Sequence, residues 1–256
     1  MKASRLPLIT TLLVLVFFYL PILALVLRSF NASRYTPEWR GFTWKWYERI
    51  ADRDDLLMAL GNSMKVALAA ALASMILGTA AAFALNRHRS RLQDFHGLLV
   101  RVPLVLPDIL MGMSLLLLFV TAGLPLSLVT ITLAHVTFCL SYVTLVVLAR
   151  LEDFDFNVVE AARDLGAGRV AAFMKVTLPI LAPGILAGGL LAFTLSIDDY
   201  VVTYFVKGPG ADTLPTLVYS MIKKSKELPV INALSTLMLA MTFVVVMLAQ
   251  RLTRRA

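Results

Sequence analysis

The sequence predicts an all-α integral membrane protein with six transmembrane helices. Hydrophobic residues fill 59% of its 256 positions and charged residues only 16%, against roughly 45–50% and about 25% in soluble domains. Mean hydropathy is +0.81. Apolar runs of about 20 residues, enough to cross a hydrocarbon core of about 30 Å, recur along the chain.

The first run, near residues 6–27, follows Lys2 and Arg5. At about 22 residues it exceeds a secretory h-region of roughly 7–15, and no small-x-small cleavage site follows, so it reads as a retained helix. The second, near 60–85, is rich in Ala and carries Gly78, a composition suited to close helix packing. The third and fourth, near 98–121 and 126–149, are joined by "AGLPLS" and are expected to be antiparallel neighbours. The fifth and sixth lie near 180–206 and 231–252, and a polar loop spans about 150–179. No linker, low-complexity run or internal repeat interrupts this plan, so residues 1–256 read as a single transmembrane domain. The single cysteine, Cys139, lies in an apolar run and reads as packing.

Six crossings place both termini on one side. By the positive-inside rule the side of the termini, of "NRHRSRLQDF" and of the Glu160 loop holds about 13 Lys and Arg, and the other about 11. "RLTRRA" contains no acid, whereas the opposite long loop mixes Glu38, Glu48, Asp52, Asp54 and Asp55 with its bases. The termini and the Glu160 loop are therefore expected in the cytoplasm. The net charge of +8 suits loops that touch anionic headgroups rather than nucleic acid. There is no G-x-x-x-x-G-K-[ST] in the chain, hence no nucleotide-binding loop of its own.

Within the polar loop, Asn157 followed by Glu160 reads as an N-cap with a carboxylate at N3. Val158, Ala161, Ala162 and Leu165 share one face, and Gly166 stands where a left-handed C-cap is expected. A helix of about two turns is marginal alone, so its stability is expected to come from docking. A second short helix, near 169–177, leads to Pro179 and Pro183.

These residues carry a resemblance. "EAARDLGA" followed by "TLPILAPGI" resembles the EAA loop of ABC-importer permeases, with Glu160, Ala161, Ala162, Gly166, Leu178 and Pro179 on the pattern. "VPLVLPDILMGMSLLLLF", "LAHVTFCLSYV", "GFTWKWYERI" and above all "SIDDYVVTYFVKGPGADTLPTLVYS" resemble one branch, the second permease subunit of spermidine/putrescine importers. The resemblance implies a type I ABC importer permease fold. It implies a homologous permease partner, two ATPase subunits docked on the Glu160 helix, and an extracytoplasmic polyamine-binding protein. No catalysis, cofactor or metal is implied for this chain, ATP and Mg being bound by the partner ATPase.

The chemistry of the apolar spans bears on the cargo. Asp108, Asp198 and Asp199 lie in or beside them, and a charge near the bilayer centre costs at least about 2.5–3.5 kcal/mol, so such groups face a cavity and find a cation. Asp198 lies about 18 residues into the fifth segment, roughly 27 Å along its axis and toward the outer mouth; Asp108 lies about 10 residues into the third, deeper from the cytoplasmic side. Aromatic faces can add cation–π contacts of about 0.5–2 kcal/mol.

The family reading assigns substrate roles to Trp46, Asp108, Ser196, Asp198 and Asp199. Each has a structural alternative: an interfacial belt shared with Trp39 and Trp44, a capped helix restart after Pro107, a serine bonding its own helix, or a helix end meeting water. His135 reads as a core hydrogen-bonding histidine rather than a proton relay, and Asn62 and Ser63 as residues that cap or pack the second segment.

Other functions fit less well. An importer of anions would favour Lys or Arg in the pathway, whereas the pathway candidates Asp108, Asp198 and Asp199 are acidic. An intramembrane aspartyl protease needs aspartates on different helices and a G-x-G-D loop, which is lacking. A secondary transporter calls for internal repeats and broken helices, neither evident in the sequence.

Overall fold

The structure is a computed structural model that describes residues 6–34, 38–87, 92–224 and 228–254. Lys2, Arg5, the middle of "NRHRSRLQDF", part of "KKSKELP" and the last two residues of "RLTRRA" lie outside these ranges. Twelve helices are described in chain order: α1 (Leu6–Ser29), α2 (Lys45–Ala51), α3 (Asp54–Arg87), α4 (Gln93–Val105), α5 (Asp108–Thr121), α6 (Leu128–Glu152), α7 (Asn157–Asp164), α8 (Arg169–Ala172), α9 (Leu178–Asp198), α10 (Val201–Val206), α11 (Leu214–Lys224) and α12 (Leu228–Arg254). Five spans among the described residues are long and apolar enough to cross a membrane, and the bent pair α4–α5 makes a sixth.

Two of the expected spans are broken. The third is α4 and α5, bent by 112°. Pro107 cannot donate an N–H, and it drives the preceding Leu106 to an extended ψ of 133°. The fifth ends at Asp198, where Asp199 turns extended at ψ 125°, and α10 then restarts. At its other end the fifth span runs back without interruption through a π-helical turn, Phe173–Thr177, into α8. The expected short helix near 169–177 is thus the foot of the span. Pro179 lacks an N–H and its ring crowds the carbonyl four residues back, which a widened turn accommodates.

Chain contacts cluster into two compact units, Met1–Met58 with Leu217–Met241 and Ala59–Thr216 with Thr242–Ala256. In the first unit the loop after α1 is a small built structure. Asn31 is its hub: its amide donates to the Glu38 carbonyl (2.8 Å), and its side-chain oxygen accepts from the N–H groups of Ser33 (3.1 Å) and Arg40 (3.0 Å). Its backbone pairs with Phe42 in an isolated bridge. Phe30, Phe42, Trp44 and Tyr47 stack around it with ring centroids 5.0–5.5 Å apart.

In the second unit α6 packs chiefly on α9 and α4, and α5 on α10. The tight turn at Gly123 (φ +70°) joins α5 to α6 as expected, yet the bend redirects α5 toward α10 instead of along α6. Glycines set the close approaches. A Cβ on Gly78 would stand 2.9 Å from the Val143 side chain and one on Gly188 3.3 Å from the Val143 backbone, so α3, α6 and α9 meet at one residue. Cys139 is buried there, its thiol donating to the Ala192 carbonyl (3.4 Å). Asn62 and Ser63 do not cap α3. Asn62 donates to the Asp212 carbonyl (3.0 Å) and the Ser63 hydroxyl accepts from Leu214 N–H (2.8 Å), which ties the loop after α10 to α3.

Candidate functional site

Both breaks open onto one cavity of about 430 Å³ in the second unit. Non-helical backbone inside a membrane protein survives only where it is buried in protein or lines an aqueous space. Here Pro103, Asp108 and Met111 come from the first break, and Asp198, Asp199 and Tyr200 from the second. Phe138 and Tyr142 of α6 and Thr194 of α9 form a further wall. The sequence placed Asp108 and Asp198 at different depths, a distance reckoned along straight helices. The 112° bend removes that premise, and the two carboxylates line the same space.

The helix ends favour a cation here. A helix N-terminus carries a partial positive charge and a C-terminus a partial negative one. The carbonyl ends of α4 and α9 both arrive at the breaks, and these attract cations. The two N-termini each bear their own carboxylate. Asp108 is the first residue of α5, with its neighbour Pro107 offering no side-chain cap. Asp199 closes α10, accepting from the N–H groups of Val202 (3.4 Å) and Thr203 (2.8 Å). No Lys or Arg is among the described residues that line the cavity.

The paired aspartates therefore divide their tasks, Asp198 ending α9 and Asp199 standing in the extended break after it. Asp198 lines the cavity with the Thr242 hydroxyl beside it. Asp199 turns partly inward. Besides its two N–H groups it accepts from the Thr203 hydroxyl (2.8 Å) and stands 3.2 Å from His135 Nε2. His135 is 1% exposed. Its Nδ1 meets the Ser196 hydroxyl at 2.6 Å and its Nε2 the Thr203 hydroxyl at 2.9 Å. Since Thr203 donates to Asp199, its oxygen accepts from Nε2–H, which fixes the proton on that nitrogen. This one imidazole joins α6, α9 and the start of α10.

Ser196 thus faces His135 from behind the cavity wall and bonds a neighbouring helix rather than its own. Trp46 is in the other unit. Its indole N–H donates to the Asn31 carbonyl (2.8 Å), and Lys45 and Arg49 stand 5.8 and 5.7 Å from its ring centre. Trp39 and Trp44 are exposed, as an interfacial belt requires. Among the lining residues not singled out from sequence are the aromatic ones, Phe138, Tyr142 and Tyr200. The first two were legible as a face: His135, Phe138 and Tyr142 follow one another at helical spacing on α6.

The second expected site is the polar loop. α7 spans Asn157–Asp164 and buries no side chain. Its N-cap position is Phe156, which offers no side-chain cap, and the Asp155 carboxylate accepts from Asn157 N–H (2.9 Å), so Asn157 opens the helix instead of capping it. Gly166 ends it at φ +93°. Its N–H bonds the Arg163 carbonyl (2.9 Å) and Ala167 N–H the Ala162 carbonyl (3.0 Å), the two bonds of a Schellman motif. Glu160 and Ala161 are exposed and Ala162 partly so. Leu178 and Pro179 open α9 just beyond the π turn. Leu165 and Val170 are 90% and 76% exposed, apolar surface that a soluble face does not ordinarily leave bare.

Known proteins carry the same pattern. The family model described as "Binding-protein-dependent transport system inner membrane component" matches residues 74–256. The chain is 41% identical over 239 residues, 93% of each chain, to the spermidine/putrescine transport system permease protein PotC of Haemophilus influenzae. It is 45% identical over 247 residues, 94% of this chain and 88% of the relative, to the putrescine transport system permease protein PotI of Escherichia coli K12. Among solved structures, a chain of a bacterial ABC transporter involved in alginate import matches with TM-score 0.74 at 15% identity, covering 98% of this chain and 96% of the other. A chain of the MetNI methionine ABC transporter matches with TM-score 0.61 at 16% identity, covering 79% and 98%. At these identities the structural likeness is one of fold, and the fold is the type I permease fold expected. Broken helices, absent from the sequence reading and there held to mark secondary transporters, are here part of an ABC permease. The chain belongs to the family of binding-protein-dependent transport system inner membrane components, as a multi-pass inner-membrane permease of an ABC importer.

Proposed function

We propose that this chain, paired with a homologous permease subunit, forms the pathway by which an ATP-driven importer carries polyamines of the spermidine/putrescine class into the cytoplasm. The observation that carries the cargo reading is the cavity at the two helix breaks, with three carboxylates, two helix carbonyl ends and aromatic walls. A polyamine is a string of ammonium groups separated by methylenes. Asp198 and Asp108 pair with ammonium groups, and Phe138, Tyr142 and Tyr200 cover the methylenes and hold ammonium groups by cation–π contact. The names of the relatives support the same cargo. The lack of a basic residue among the described lining speaks against an anion.

In this reading an extracytoplasmic binding protein delivers the amine to the outer loops, Trp46 among them. α7 docks by Glu160, Ala161, Ala162 and Leu165 in a cleft of one of two ATPase subunits. These bind ATP and Mg and do all the hydrolysis. Gly166, Leu178 and Pro179 join α7 to α9, whose far end is Asp198, so movement of the docked helix reaches the cavity along one rod. The test is uptake into vesicles holding the assembled importer. Unlabelled spermidine and putrescine should compete with labelled polyamine, whereas monoamines and phosphate should not; competition by an anion would end the polyamine reading.

Two further outcomes belong here. Glu160→Lys should abolish uptake and the stimulation of ATPase activity while the chain still inserts, because it reverses a charge on the exposed face of α7; normal uptake removes the docking role. Orientation is checked with single cysteines at Leu124, in the turn before α6, and Leu165, at the end of α7 beyond it, both exposed. Native Cys139 is buried and silent. Only Leu124→Cys should react with an impermeant maleimide on intact cells stripped of their outer membrane; reaction at Leu165→Cys alone would invert the proposed topology.

A further inference from the structure

A second cavity, of about 350 Å³, lies at the other end of α9 from the aspartates. Thr177 borders it and Asp198 borders the first, so the two are separated by about 30 Å of helix, close to the thickness of a hydrocarbon core. Three guanidinium groups from three elements line it: Arg87 at the end of α3, Arg163 of α7 and Arg169 of α8. No carboxylate lines it among the described residues, and no ion pair engages any of the three there. Half of the remaining wall is aromatic, with Phe83, Phe156 and Phe173 beside Val159, Ala172 and Thr177. Phe83 and Phe173 meet edge to face with centroids 5.5 Å apart, and the Arg87 guanidinium sits 5.0 Å over the Phe156 ring.

The three guanidinium groups, exposed and without an ion pair among the described residues, form a positive patch that attracts an anion. Planar guanidinium forks match phosphate oxygens, and their positions on separate elements suit a ligand with several acceptor oxygens. We propose that this cavity binds the phosphodiester headgroup of an anionic phospholipid and that the lipid braces α7 against the spans. Two features select a lipid over an acidic protein segment. The back of the pocket is the last turn of one membrane span and the foot of another, which puts it within reach of the bilayer surface. Its walls set cationic groups beside partly exposed aromatic rings, as a headgroup with adjoining acyl chain requires. Basic pockets between membrane helices are a recurrent form of such sites. The inference does not depend on the cargo of the importer.

The test uses the full chain, purified and delipidated in detergent micelles, with native mass spectrometry to follow added lipid. Phosphatidylglycerol should be retained and phosphatidylcholine largely lost. The R87Q/R163Q/R169Q variant should retain phosphatidylglycerol on the order of 100-fold more weakly, from about five-fold per charge removed. The R87K/R163K/R169K variant should fall between the two, since the charge stays and the fork is lost. An unchanged melting temperature for both variants confirms that the effect is local. Equal retention by wild type and the Gln variant overturns the proposal. So does displacement of the lipid by millimolar inorganic phosphate, which would make this a site for the free anion, or by the co-purified ATPase subunit, which would make it a protein contact.

Discussion

Asp198→Asn should lower polyamine uptake by roughly 10- to 100-fold without unfolding the chain. A hydrogen bond to a charged partner is worth about 1.5–3 kcal/mol, and about 1.4 kcal/mol is a factor of ten. Asp198 lines the cavity and is the last residue of α9, so amidation leaves helix and packing intact while removing the charge that meets an ammonium group. The effect should appear mainly as a higher concentration for half-maximal uptake, with ATPase activity in the absence of cargo unchanged. Asp108→Asn should act in the same direction, because it borders the same space from α5. Wild-type uptake in both variants would remove the cavity from the transport path.

His135→Ala should destabilise the folded chain by roughly 2–4 kcal/mol, through a void in a packed core and hydroxyls stripped of their partner. The imidazole is buried and bonded at both nitrogens. Its removal leaves Ser196 without its described partner and Asp199 without the ring 3.2 Å away. Asp199→Asn should be milder, since an amide oxygen still accepts from Val202 and Thr203 N–H, as asparagine does at helix starts. The measurement is thermal unfolding in detergent, with uptake alongside. The histidine variant should lose both, in contrast to Asp198→Asn, which should lose uptake alone. A His135→Ala chain that melts with wild type would show that the imidazole carries no part of the junction.

The legible part of this molecule was what depends on local composition and spacing. Span lengths follow from runs of apolar residues, and the end of α7 from a glycine where only positive φ closes the helix. The carboxylates were legible because charge in an apolar run is costly and calls for an explanation. The breaks were not. Pro107 announced a boundary, but a proline inside an apolar segment bends a helix as often as it ends one, and the 112° turn depends on α10 lying ready to receive α5. At Asp198–Tyr200 there is no Pro or Gly at all; the helix stops because Asp199 prefers to cap the next one. The cap of α7 was assigned to Asn157, which is instead the first residue of the helix, its own N–H held by the Asp155 carboxylate two residues earlier. The link from His135 to Asp199 spans 64 positions of sequence, beyond any periodic signal.

The two half-helices beyond the breaks bear on each other. Phe205 of α10 occupies the notch left by Gly112 of α5, where an added Cβ would stand 2.7 Å from the ring. That contact locks the two half-helices into one packed pair, so the backbones on the far side of both elbows are braced by each other. A methyl group at that notch would prise the pair apart while leaving each carboxylate in place.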